Sequence, residues 1–110
     1  MKVNIVTYSD FLEDVKTLDF PTYEADFPKS KPNPIVVYQK GIDKSIHSDG
    51  VIVFAQQEVI LHLITDRKDI KSQFKLEKWL KEHEIKYKMS DRYWDSENSF
   101  YITEYKFWAV

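Results

Sequence analysis

The sequence predicts an α+β domain: a mixed, mainly antiparallel sheet of about four to five strands with two flanking helices, in the order α-β-β-β-α-β-β. Three observations carry this. Glu58 to Thr65 is apolar on both alternating faces, with Val59, Leu61 and Leu63 on one and Ile60, His62 and Ile64 on the other. A run of that kind is a central strand covered on both sides. Next, Asp66-Arg-Lys-Asp69 turns the chain into a segment with helical spacing. Last, Ser99 to Trp108 alternates well, with Phe100 and Ile102 on one side and Tyr101, Thr103 and Tyr105 on the other, as a half-buried strand does. The chain has 110 residues, the size of a single domain spanning 1–110.

Taken in order, Tyr8 to Leu18 reads as a short helix. Phe11, Leu12, Val15 and Leu18 recur at spacings of three and four, Ser9 is the expected N-cap, and Asp10 and Glu13 favour the positive end. Residues Asp19 to Pro34 hold all four prolines and read as an irregular strap. Its aromatics Phe20, Tyr23 and Phe27 tie it to the surface, and Lys29-Ser-Lys-Pro-Asn33 is its polar turn. Ile35 to Gln39 is a short strand rich in β-branched residues. Lys40 to Asp49 is polar, and reads as an extended loop or the tip of a long hairpin. Val51 to Phe54 is a further strand, set apart from the central one by the polar step Gln56-Gln57.

The second helix runs from about Asp69 to Glu84, with Asp66 or Asp69 accepting from its first free N–H groups. Its apolar residues are Ile70, Phe74, Leu76, Trp79 and Leu80, and Lys71, Lys75 and Lys78 mark its solvated side. Ile85 to Met89 begins a strand, Asp95-Ser-Glu-Asn98 is a turn, and Ser99 to Trp108 completes an antiparallel hairpin.

Composition narrows the function. Cysteine is absent, which removes disulfide scaffolds, thiolate metal sites and a cysteine nucleophile. Net charge is −2, so a general affinity for nucleic acid is not expected. The N-terminal Met-Lys-Val-Asn-Ile-Val turns polar too soon for a signal peptide, and no apolar run approaches the ~20 residues of a membrane helix. With only Gly41 and Gly50, no glycine-rich phosphate loop can be built. Aromatic residues make up 15% of the chain, more than a domain of this size can bury, so some are expected on a surface that a partner covers.

No catalytic set is visible. His47, His62 and His83 have no metal-ligand spacing; His62 fits a cross-sheet position and His83 a helix C-terminus. Asp66 and Asp69 read as caps rather than cation ligands. Asp91, Asp95 and Glu97 beside Trp94 match a glycosidase pair only by residue type, and a polar hairpin turn is the simpler account. No serine has the G-x-S-x-G context. Lys68, Lys71, Lys75, Lys78 and Lys81 with Phe74 and Trp79 form a basic stripe with aromatic neighbours, diluted by Asp69, Glu77, Glu82 and Glu84, as on a solvated helix face. The expectation is a protein that is not an enzyme and takes no metal or cofactor.

Three passages together resemble a known family. They are Asp19-Phe-Pro-Thr-Tyr23 with Phe27-Pro-Lys-Ser-Lys-Pro-Asn-Pro-Ile-Val-Val-Tyr-Gln39; Glu58-Val-Ile-Leu-His-Leu-Ile-Thr-Asp-Arg-Lys-Asp69 with Lys75-Leu-Glu-Lys-Trp-Leu80; and Tyr93-Trp-Asp-Ser-Glu97 with Tyr101-Ile-Thr-Glu-Tyr-Lys-Phe107. In order and spacing they resemble the small head–tail joining or tail-completion proteins of long-tailed phages and prophages of Gram-positive bacteria. The resemblance spans the chain from Asp19 onward. It implies a tail-terminator-like fold and a homo-oligomeric ring, usually sixfold, that closes the tail tube and joins it to the head connector.

On that reading the chain is a structural protein of the virion at the tail–neck junction, assembled in the host cytoplasm. Its partners are further copies of itself, the tail tube protein, and a head–neck connector or head-closure protein, with no membrane and no direct nucleic-acid recognition. Ring subunits need one surface to fit a different surface on the next copy. The residues expected to make protein contacts are Lys40, Gly41, Asp43, Lys44, His47 and Asp49 of the polar loop, with Trp94 and Trp108. Packing of both tryptophans in the core is the competing expectation. The alternative functions are another neck protein, such as a head-closure protein, or a bacterial adaptor or protein-binding module of similar fold.

Overall fold

The computed structural model describes residues 7–24, 34–48, 51–97 and 99–110. It is an α+β fold organised on β3 (Val51–Thr65), as the both-faced apolar run requires. β3 pairs antiparallel with β2 (Ile35–Ser48) on one side and with β6 (Phe100–Ala109) on the other. Beyond β2 lies β1 (Thr22–Glu24), which runs parallel to it, with Thr22 opposite Val36. Beyond β6 lie two short strands on one edge: β4 (Lys88–Met89), opposite Lys106 and Tyr105, and β5 (Tyr93–Asp95), opposite Ile102 to Phe100. Among the described residues the sheet therefore has six strands, in the order β1-β2-β3-β6-β4 with β5 on β6.

Several expectations change here. Gln56-Gln57 does not divide two strands; β3 runs straight through it. Lys40 to Ser48 is not a loop but the second half of β2, so the hairpin reading of that segment is the one realised. The strap contains a strand, β1, and Val36 N–H donates to Pro21 O at 2.9 Å beside it. Phe27, the turn Lys29–Asn33, Asp49, Gly50 and Asn98 lie outside the described residues.

The helices cover one face. α1 (Tyr8–Asp14) is shorter than its periodicity suggested and ends in a single 3₁₀ turn, Val15–Thr17. Its cap is Thr7 rather than Ser9: the Thr7 hydroxyl accepts from Asp10 N–H at 3.0 Å. α2 (Ile70–Glu82) is capped by Asp69, whose carboxylate accepts Ser72 N–H at 3.0 Å and Ser72 O–H at 2.7 Å. Those two bonds hold the Asp69 carboxyl below its usual range.

Phe11 and Val15 of α1 and Leu76, Trp79 and Leu80 of α2 close over Val36, Val59, Leu61, Tyr105 and Phe107. On the opposite face Ile35, Val37, Ile64, Phe100 and Ile102 are also buried, with Tyr23 against them. That second cluster sits at one end of the sheet only. Further along the same face, Ile60 and His62 are partly open to solvent.

α2 ends in a Schellman arrangement. Ile85 N–H reaches Leu80 O at 2.9 Å, Glu84 N–H reaches Lys81 O at 3.0 Å, and Ile85 packs in the same core as Leu80. The left-handed position is filled by Glu84, at φ 56°, where glycine is the usual occupant. Glu84→Gly should therefore raise stability by ~0.5–1 kcal/mol in urea unfolding, by relieving the left-handed side chain.

The Tyr105 ring is wholly buried, and its hydroxyl donates to Glu77 Oε2 at 3.3 Å while Tyr87 O–H donates to Oε1 at 3.4 Å. Burial, then the Glu77 charge, pushes the Tyr105 hydroxyl far above its ordinary value of 10.0. A raised folded-state pKa gives stability that is complete below the unfolded value and falls as pH rises past it. The protein should lose stability steadily above about pH 10. Tyr105→Phe should flatten that alkaline limb in a series of melts across pH, at a neutral-pH loss of ~1 kcal/mol.

Candidate functional site

The feature that sets this chain apart is the outer half of the β2–β3 hairpin. β6 leaves β3 at Gln57, opposite Ala109, and β1 leaves β2 at Tyr38, opposite Glu24. Past those points β2 and β3 pair only with each other among the described residues, from Asp43 opposite Gln57 to Ser48 opposite Val51. β3, fifteen residues at about 3.3 Å each, spans ~50 Å, which matches the 50 Å long dimension of the molecule. An isolated two-stranded ribbon is marginal in water, so an arm of this length is the part of the fold with most to gain from a neighbour.

The base of the arm is a bulge. Lys40 lies opposite Val59 but Asp43 opposite Gln57, so β2 carries one more residue than β3 across this step. Gln57 holds the irregular backbone: its side-chain Nε2 donates to Gly41 O at 3.2 Å and to its own neighbour's Glu58 O at 3.0 Å. Ile42 N–H donates to Glu58 Oε1 at 3.3 Å. Gly41 is required by close approach, since a Cβ there would collide with the Glu58 carboxylate and lie 3.0 Å from Ile60 Cδ1.

The bulge also decides which way the arm's charges face. Side chains four residues apart on a regular strand share a face. Here Lys40 extends over the Tyr8 ring on the helical side, 4.8 Å from its centroid, whereas Lys44 extends over the Trp108 ring, 5.1 Å from its centroid. Trp108 alternates with the buried Phe107 and Ala109 and so lies on the face away from the helices. Its ring is 36% exposed, which makes it neither a core residue nor a free one. Cation–π contact with Lys44 keeps it in place at the root of the arm.

Of the residues expected to make contacts, the structure brings Lys44 and Trp108 together, with Gly41 and Asp43 at the bulge beside them. Lys40 stands on the opposite face. His47 is placed in the arm, opposite Ile52; Asp49 lies outside the described residues. Trp94 is elsewhere. It packs edge-on against Tyr101 at 4.8 Å, seven residues along β6 from Trp108, which is about 23 Å. There it is 49% exposed, and Arg92 lies over the other side of the group, 5.9 Å from the Tyr101 centroid, with its guanidinium donating to Gln73 Oε1 at 2.8 Å.

The remaining polar cluster is on the open face of the sheet. His62 Nε2 lies 3.3 Å from Glu104 Oε1, and the Tyr93 hydroxyl donates to the same oxygen at 3.2 Å. Burial, then the Glu104 charge, raises the Tyr93 hydroxyl above its ordinary value. His62 Nδ1 is buried without a hydrogen-bond partner among the described residues. The backbone of Glu104 also anchors the β4–β5 link, donating to Ser90 Oγ at 3.0 Å and accepting from Ser90 N–H at 2.9 Å. This is a brace that ties an edge to the central strand. A shallow cleft of about 200 Å³ beside it is lined by Lys88, Met89, Ser90, Glu104 and Lys106. His83 stacks on Trp79 at the end of α2 and its Nδ1 lies 2.9 Å from Trp79 O. No group of three histidine, aspartate or glutamate side chains among the described residues converges as a metal site.

Sequence reasoning missed Ile42, which is 64% exposed on the bulge, and missed that Gln57 clamps it. A polar residue inside a strand that otherwise reads as apolar was the available signal. No family model matches the chain, and no curated protein matches it.

The bulge gives a direct check on the arm. Gly41→Ala should displace the Glu58 carboxylate and break its bond to Ile42 N–H, at a loss of ~1 kcal/mol. Amide hydrogen exchange should quicken at Ile42 and along the arm while the β3–β6 amides keep their protection.

Proposed function

We propose that this chain is a structural protein of a phage tail–neck junction, which assembles into a ring that closes the tail tube and joins it to the head connector. The observation that carries the reading is the arm: a two-stranded ribbon that leaves the body of the sheet, with a half-exposed Trp108 and Lys44 at its root. Such a ribbon has no third strand beside it among the described residues, and strand pairing is the natural means of covering a sheet edge. The resemblance of the three sequence passages to tail-completion proteins supplies the identity of the assembly. The described α+β fold, a sheet with two helices on one face, agrees with the architecture that the resemblance implies.

In this role the subunit needs no reaction chemistry. It needs a rigid body, which β3 and its two neighbours provide, and surfaces that fit a different surface on the next copy. Tail tube protein below and connector or head-closure protein above are the expected neighbours.

Electron microscopy of the purified protein mixed with isolated tail tubes tests the proposal. Rings in the free protein and added density at one tube end are expected. A protein that forms no rings and leaves both tube ends bare overturns it. Trp108→Ala should weaken attachment or ring closure by about tenfold or more without unfolding the chain, because an aromatic anchor at an interface is commonly worth over 1 kcal/mol.

A further inference from the structure

The helical layer has two flanks of opposite character. On α2, the residues Ser72, Leu76, Trp79 and Leu80 are buried, and Phe74 lies on the opposite side of the helix, 65% exposed, with Ile70 one turn before it at 53%. Lys71, Lys78 and Lys81 surround this apolar pair, and Lys78 meets Glu82 only across an exposed 3.8 Å contact. Glu77, the acidic residue nearest to it, is turned to the sheet edge by Tyr87 and Tyr105. On α1 the outer side carries Asp10, Glu13 and Asp14 with no basic residue in the helix, and half-buried Leu12 at its rim. Lys16, just beyond, pairs with Glu13 only across an exposed 3.5 Å contact.

α1 and its 3₁₀ turn sit against the Lys75 and Trp79 side of α2: Lys75 Nζ donates to Asp19 O at 3.3 Å, and Trp79 Nε1 donates to Thr17 Oγ1 at 3.2 Å. The other side of α2 looks toward β6 and β5, through Gln73 to Thr103 and Arg92. The Ile70–Phe74 surface points away from the sheet, and among the described residues no ion pair joins Lys71, Lys78 or Lys81 to Asp10, Glu13 or Asp14.

We infer that the occupant of the Ile70–Phe74 surface is the acidic α1 flank of a second copy of this chain. Phe74 would pack beside Leu12, with Lys71, Lys78 and Lys81 opposite Asp10, Glu13 and Asp14. Such a contact leaves each copy with one flank still open, so it repeats head to tail and closes as a ring when the rotation allows. Opposite charge at the rim steers and registers the contact, and the apolar pair holds it. The inference deepens the ring reading and rests on that reading for its self-assembly alone, not for the tail.

Sedimentation velocity of the full-length chain, over a concentration series at low and high salt, tests it. Self-association that weakens with salt is expected, and Phe74→Ser should weaken it by about tenfold or more while the thermal melt stays unchanged. Lys78→Glu with Lys81→Glu should abolish association, as should Glu13→Lys with Asp14→Lys in a separate protein. Mixing those two proteins should restore it, since each reversed flank then meets its complement. A chain that stays monomeric throughout overturns the inference. So does one that assembles as before with Phe74→Ser and both charge reversals, and that result leaves the ring proposal standing. Association through these flanks with no attachment to tail tubes removes the tail role and keeps the contact.

Discussion

Everything in this fold hangs on the double pairing of β3. From Val59 to Ile64 every residue has a partner in β2 and another in β6, so its backbone groups are satisfied on both sides and its side chains are committed to both faces. Val59, Leu61 and Leu63 point at the helices and are essentially dry. Each such side chain contributes about 1.5–3 kcal/mol of burial, and the row makes the floor on which α1 and α2 rest. Slip the register by one residue, and His62 would enter the helical core while Leu61 went to the open face.

From that strand, position spreads outward in two directions. Toward β6 the pairing fixes Tyr105 beneath α2, where its hydroxyl and that of Tyr87 converge on Glu77. It also fixes Glu104 beside His62, and through Glu104 the whole β4–β5 edge. Toward β2 the same pairing continues past the end of β6, and the sheet becomes a ribbon. The bulge at Gly41 stands at that boundary. By adding one residue to β2 it turns Lys44 to the face of Trp108, so the root of the arm acquires a cation–π pair that a regular strand would have placed elsewhere.

The body and the arm thus differ in kind. The body buries its apolar residues within the chain. Ile42 and Trp108 at the root of the arm, Phe74 on α2 and Trp94 on the edge strand stay exposed. These residues lie at three separate places: the root of the arm, the outer side of α2 and the β5 edge. A cleft of about 280 Å³ between Phe20, Pro21, Pro34 and the start of α2 is lined by the Lys75–Asp19 ion pair and is a seam between strap and helix. That bond, with the lysine charge, holds the Asp19 carboxyl below its usual range.

Local pattern was enough to read α2 and to narrow its cap to Asp66 or Asp69, and to read the alternation of β6 and the both-faced burial of β3, because each is written in periodicity that neighbours in the chain impose on one another. The α+β class followed from their order. The arm was not legible as strand: with solvent on both sides, Lys40 to Lys44 have no apolar face to keep in register, and so no alternation to show. Gln57 read as a break because its work is done sixteen residues away, on the Gly41 carbonyl. β1 was hidden by its length of three residues and by a parallel pairing that only β2 supplies. Residue types nominated Lys44, Trp94 and Trp108 as contact residues without saying which of them share a surface. Tertiary structure separated Trp94 by the length of β6 and joined Lys44 to Trp108 through a bulge, since which side chains meet across a sheet depends on register, and register is a property of the paired strands and not of either one.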